Sequence, residues 1–156
     1  MCTDCCFNQG PFVSPCTFAE VFTLHLANIV LSHESAGAYA IKHTYGDMDP
    51  IVDQIVDAGP YGLHSLDPQG NVDIAEIKHR FGDRICLWGN ARCALLHTGT
   101  DAEVEAGARY ALKHGMQGGG PIFCASNVAF KGMALERCLM ILDIRRRFGS
   151  HDSATD

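Results

Sequence analysis

Apolar positions along the chain alternate between two periods, and that alternation lays out the fold. The stretch 71–90 contains one complete helix-to-strand unit. Ile74, Ile77 and Phe81 have the three-and-four spacing of one helix face, and Gly82 follows where a C-terminus favours a residue free to take positive φ. Residues 84–88 are then a short, largely apolar run, as expected of a strand covered on both faces, and Gly89-Asn90 ends it with little bulk and one amide.

The same grammar extends in both directions. Residues 2–7 read as the tail of a strand, and Phe18, Phe22, Leu26, Ile29 and His33 mark one stripe of a helix over about 15–37. A strand over 38–43 follows, then a helix from Asp49-Pro50 with Ile51 and Ile55 on its inner face, broken at Gly59-Pro60, and a strand over 61–66. After the central unit, Thr100 and Glu103 form a capping box for a helix over 101–114 whose buried stripe is Val104, Ala108, Ala111 and Leu112. Gly118-Gly-Gly120 is a turn leading into a strand over 121–125, and a last helix over 134–148 is expected to bury Leu135, Leu139 and Leu142. Four strand-helix pairs in series imply parallel strands joined by right-handed crossovers, so the class is α/β. No linker divides the chain, which gives one domain over 1–149 and a polar tail over 150–156.

Composition narrows the function. With 156 residues, 47% hydrophobic and 19% charged, the chain can bury a real core and is not a disordered sequence. A net charge of −6 leaves no basic footprint for nucleic acid, and the one basic run, Arg145-Arg-Arg147, closes a helix where cations suit the dipole. No apolar stretch is read as approaching the roughly 20 residues that cross a bilayer, and the N-terminus lacks the basic start and apolar core of a signal peptide. No membrane association and a cytoplasmic location are therefore expected. The eight cysteines are scattered through helices and strands, as reduced and mostly buried thiols are. Cys2 and Cys5 form a Cys-x-x-Cys, but no second pair stands at zinc-finger spacing and no helix starts there.

In a parallel sheet, chemistry gathers beyond the carboxyl ends of the strands. Those ends carry His43-Thr-Tyr-Gly-Asp47, then Ser65-Leu-Asp67, then Gly89-Asn90-Ala-Arg92-Cys93, and last Ser126-Asn127. Several of these segments, with Gly10-Pro-Phe-Val-Ser-Pro15, Ile41-Lys-His-Thr-Tyr-Gly-Asp47, Gly62-Leu-His-Ser-Leu-Asp67, Asp73-Ile-Ala-Glu-Ile-Lys78, Gly82-Asp83, Gly89-Asn90, Gly99-Thr100 and Gly118-Gly-Gly120, occur in order. Together they make the chain resemble the C-terminal half of the uroporphyrinogen decarboxylase superfamily, which also contains methyltransferases that work with methylcobalamin and corrinoid proteins. The resemblance runs nearly end to end.

The resemblance implies a partial (β/α)8 TIM barrel, the last four βα units of a whole barrel of about 250 residues. It implies removal of carboxyl groups from the acetate side chains of a tetrapyrrole without a cofactor, with corrinoid-linked methyl transfer as the alternative. In the methyltransferase branch a His-x-Cys zinc pair would begin at His43, but Tyr45 stands at the cysteine position and Asn127 at that of the third ligand, so no metal is expected. His43, Asp67 and Asn127 are the catalytic candidates; Asp4, Asn90 and Ser126 are the substrate-binding candidates. His43 reads as an acid or hydrogen-bond donor to a carboxylate, or as a packed histidine. Asp67 reads as a substrate-positioning carboxylate or as a turn residue before Pro68. Arg92 stands where much of the family has an acidic residue, and Cys5 and Cys6 replace an aliphatic residue and a glycine.

A half-barrel exposes two strand edges and an inward face. The expected partners are therefore a small-molecule substrate, either a tetrapyrrole or a methyl donor on a corrinoid protein, and a second half supplied by another copy or another protein. A non-catalytic half-barrel and a flavodoxin-like binding domain are the rival readings.

Overall fold

The computed structural model describes residues 4–149; the tail over 150–156 and Cys2 lie outside the described residues. The elements are β1 (Cys6–Phe7), β2 (Gly10–Pro11), α1 (Pro15–Thr17), a π-helical turn Phe18–Thr23, α2 (Leu24–Ser35), β3 (Ile41–Thr44), a 3-10 turn Asp49–Ile51, α3 (Val52–Asp57), β4 (Gly62–Ser65), a 3-10 turn Pro68–Gly70, α4 (Ile74–Phe81), β5 (Cys86–Ala91), α5 (Cys93–Thr98), α6 (Asp101–Gly115), β6 (Ile122–Ala125) and α7 (Leu135–Phe148). β1 and β2 form a small antiparallel hairpin, whereas β3, β4, β5 and β6 form a parallel sheet in sequential order. The class is α/β, and the four strands make half of a TIM barrel with no closure.

The sheet is covered on one face. Leu63 and Leu87, neighbours in the register, are buried with Ile55 from α3 and with Ile74, Ile77 and Phe81 from α4. The residues that alternate with them, His43, His64 and Trp88, point to the other face and stay half-buried. A second core lies under the last strand, where Val104, Ala108 and Leu112 of α6 meet Ile141 and Ile144 of α7. The capping box of Thr100 and Glu103 is present and starts α6 as expected.

Five expectations need correction. The helix Pro15–Ser35 buries Phe18, Leu26 and Val30, while Phe22 and Ile29 are each 44% exposed. Its π-turn inserts a residue, which rotates the following stripe by about 100° and brings Val30 inward in place of Ile29. The same helix is 21 residues long and contains an 18-residue window with a mean hydropathy of 1.2, so by length and composition it is long and apolar enough to cross a membrane. Here it is docked on the domain: Gln54 of α3 accepts a hydrogen bond from Thr23 and donates one to the Pro15 carbonyl. Strand β5 does not stop at Gly89 but runs to Ala91, because β6 pairs with it through Ala125. Leu135, Leu139 and Leu142 are 64%, 50% and 47% exposed, since α7 turns Ile141 and Ile144 toward α6 instead.

Gly82 ends α4 without positive φ; its value is −68°. The residue has to be small for another reason, since a Cβ there would run into the Lys78 carbonyl and side chain. Gly46 is where positive φ is required, at +90°, and a Cβ would strike the Phe7 backbone of the hairpin. Gly37 has φ +74° with open space around it. Gly46→Ala should therefore lower the urea midpoint by the equivalent of at least about 2 kcal/mol, combining backbone strain with a clash that cannot relax. Gly37→Ala should cost only the strain, about 1 kcal/mol. Equal midpoints for the two variants would show that the hairpin does not pack against Gly46.

Candidate functional site

Strands β3 and β4 are four residues each, and a histidine occupies the third position of both. Parallel pairing sets His43 opposite His64, and His64 opposite Trp88 of β5. The result is a row of rings across the uncovered face. His43 Nδ1 lies 2.8 Å from His64 Nδ1, so one nitrogen carries the proton and the other accepts it. The His64 ring packs on Trp88 with centroids 5.1 Å apart, and its Nε2 is 4.0 Å from Cys124 Sγ on β6.

Asp4 reaches this row from the N-terminal segment. Its Oδ1 accepts the Tyr45 N–H at 2.8 Å, which holds the carboxylate 3.4 Å from His43 Nε2. A carboxylate at that distance favours a proton on Nε2, which leaves Nδ1 of His43 as the acceptor and makes His64 Nδ1–H the donor. Burial, and then the neighbouring His43, push the His64 imidazole below its ordinary value, in keeping with a neutral ring. Burial pushes the Cys124 thiol up to about 11, so it is not a thiolate nucleophile at neutral pH. Beneath the row, the buried Lys42 donates from Nζ to the His43 carbonyl at 2.6 Å. A cavity of about 760 Å³ opens above, bordered by His43, His64 and Trp88 and walled by Phe22, His25 and Ile29 of the long helix.

The other expected residues lie at the strand ends. Asp67 and Asn127 line a separate cavity of about 370 Å³ together with Tyr45, Cys93 and His97. Asp67 is buried and caps the turn Pro68–Gly70, accepting the Gln69 N–H at 2.8 Å; Asn127 Oδ1 accepts the Val128 N–H at 2.8 Å. Asn90 is buried, and its Nδ2 donates to the Leu66 carbonyl at 2.7 Å. Ser126 Oγ accepts the Cys93 N–H at 3.0 Å. The structure thus joins Asp4 to His43 and places Asp67 with Asn127, while Asn90 and Ser126 secure backbone at the ends of β4, β5 and β6. Exposed Arg92 borders a third cavity beside Asn90.

Sequence reasoning missed His64, Trp88 and Cys124. The signal was present in the matching third-position histidines, but it becomes visible only once the pairing register is known.

A family profile described as uroporphyrinogen decarboxylase (URO-D) matches residues 3–147. The chain belongs to the uroporphyrinogen decarboxylase family. Among curated proteins, none matches. Among solved structures, a methyltransferase from Methanosarcina mazei is similar with a TM-score of 0.75 and 22% identity, over 88% of this chain and 39% of that one. At that identity the likeness concerns the fold, and this chain spans well under half of the methyltransferase.

The zinc site that the methyltransferase branch implies does not fit these residues. Tyr45 and Asn127 replace the thiolates, and the His43 nitrogens already face His64 and Asp4. No cluster of three His, Cys, Asp or Glu side chains able to hold a metal occurs among the described residues.

Because the folded pKa of His64 lies below the unfolded value of 6.5, its contribution to stability is present above pH 6.5 and is lost as pH falls through the lowered folded value. The melting temperature should therefore drop between pH 7.5 and pH 5, and His64→Asn should flatten part of that drop. Parallel curves for variant and wild type would show that His64 titrates as a solvated histidine.

Proposed function

We propose that this chain carries the proton-donating side of a decarboxylase active site for acetate side chains of a tetrapyrrole, with His43 as the acid. The observation that supports the reading is the Asp4–His43–His64 arrangement on the open face of the sheet, beside a large cavity with apolar walls. In such a reaction the bond from the methylene carbon to the carboxylate breaks, carbon dioxide leaves, and the electron pair stays on the methylene carbon. That carbon then takes up a proton and becomes a methyl group. His43 first takes a proton from solvent to become an imidazolium; its Nε2–H, held in place by Asp4, then passes to the methylene carbon, and the ring returns to neutral with its opposite nitrogen secured by His64. No cofactor takes part in this scheme.

Corrinoid-linked methyl transfer is the weaker reading for this sequence, because thiol activation by zinc needs the ligands that Tyr45 and Asn127 replace. Binding of the remaining substrate carboxylates falls in this proposal to groups outside the chain, so a lone chain should be inactive or weakly active. Turnover of uroporphyrinogen, followed by chromatography of the decarboxylated products, tests the assignment. His43→Ala should reduce the rate by about 100-fold or more. His64→Leu should reduce it substantially, whereas His64→Asn, whose amide can donate from nearly the position of Nδ1, should restore most of it. Unchanged turnover in His43→Ala would remove His43 as the acid, and absence of turnover in the wild-type assembly would remove the decarboxylase reading.

A further inference from the structure

The His64 ring has two nitrogens, and the histidine row uses only one of them. His43 Nδ1 accepts the His64 Nδ1–H at 2.8 Å, in the direction that the Asp4 carboxylate on the far side of His43 sets. A neutral imidazole protonated on Nδ1 carries a bare lone pair on Nε2. That lone pair faces Cys124 Sγ of β6, 4.0 Å away. The register brings the two together: His64 pairs with Trp88 and Trp88 with Ile122, so Cys124, two positions further along β6, shares their face of the sheet.

The thiol hydrogen has a nearer acceptor than the imidazole. Cys124 Sγ lies 3.0 Å from the Ala125 carbonyl oxygen, so the S–H is directed there and sulfur turns a lone pair toward His64. Two bare donor atoms thus face each other across a gap that a single cation can span. Bonds to zinc give the scale, at about 2.0 Å from imidazole nitrogen and about 2.3 Å from thiolate sulfur. One ion between such donors needs a separation of about 4.3 Å in line and about 3.6 Å at the tetrahedral angle. The 4.0 Å observed lies between these limits.

The geometry points to a two-coordinate site for a soft monovalent cation of the copper(I) class, held by His64 Nε2 and Cys124 Sγ. Thiolate with imidazole is a donor set for such ions, which accept two ligands in a nearly straight line. Zinc demands four ligands, and no cluster of three occurs among the described residues. On binding, the S–H bond breaks and its proton passes to water. The sulfur and Nε2 electron pairs form the two bonds to the ion, and no electron is transferred. A monovalent ion replaces one proton, so this half-buried place gains no net charge, whereas a divalent ion would bring one that has to be desolvated.

The row supplies what a metal-binding histidine needs behind it. The second ring N–H of such a histidine is ordinarily donated to a group that fixes its tautomer, and here His43, backed by Asp4, takes that part. The Trp88 ring packs on His64 with centroids 5.1 Å apart and restrains its rotation. Neither Tyr45 nor Asn127 takes part and His43 holds no metal, so this is not the zinc site of the methyltransferase branch. It is also independent of which reaction the row performs.

Nitrogen-15 NMR of the reduced full chain, with silver(I) as a redox-silent probe, tests the site. One equivalent should shift the His64 Nε2 resonance and split it by coupling to silver, while His64 Nδ1 stays protonated. Cys124→Ser, which exchanges a soft sulfur for a hard hydroxyl, should abolish the splitting. Cys16→Ser, which removes an exposed thiol of α1, should leave it intact. Cys124→Ala replaces the serine variant if circular dichroism shows that variant to be unfolded. An unsplit His64 resonance in the wild type, with the silver taken by the other thiols, overturns the proposal without recourse to any variant. So does a splitting that survives the loss of the Cys124 thiol, or one that falls on His43 instead.

Discussion

The register between β3 and β4 is the constraint on which the rest depends, and burial sets it. Leu63 and Leu87 must face Ile55, Ile74 and Ile77, because a slip of one residue would move both leucines to the uncovered side and bring His64 into the helix-packed core. With the leucines fixed, His64 stands on the opposite face, and the β3–β4 pairing that buries Lys42 and Thr44 sets His43 beside it. The histidine row is thus a consequence of core packing on the opposite face of the sheet, and no long loop is needed to position it.

That coupling also divides the polar residues by task. Those on the open face make contacts with one another, through the 2.8 Å histidine pair and the carboxylate of Asp4. Those at the strand ends are mostly occupied by backbone: Asn90 by Leu66, Ser126 by Cys93, and Asp67 by the turn that it caps. Buried polar groups need such partners, and these bonds hold the ends of the strands together. The family's strand-end residues build the barrel rim in this chain.

Much of the fold was legible in the sequence because it rests on local patterns. The stripe of α4, the capping box of α6 and the four strands all follow from spacing and caps. The errors occur where local pattern meets something non-local or irregular. The π-turn at Phe18–Thr23 changes the phase of a stripe that reads as regular, and the leucines of α7 look like a core face until Ile141 and Ile144 take that place. His43 and Asp4 could be singled out by resemblance, while His64 could not, because its significance comes from a neighbour 21 residues away. The short helix α5 has too few residues to show a period.

The central claim is that Asp4, His43 and His64 form one directional chain, and the proton positions on the two rings report it most directly. Nitrogen-15 NMR of the imidazoles in the free protein at pH 7.5, assigned with the single histidine variants, reads those positions without any substrate. The account predicts His43 protonated on Nε2 and His64 on Nδ1, with a coupling between their facing nitrogens across the hydrogen bond. A His64 ring protonated on Nε2, or two rings exchanging tautomers independently, would contradict it.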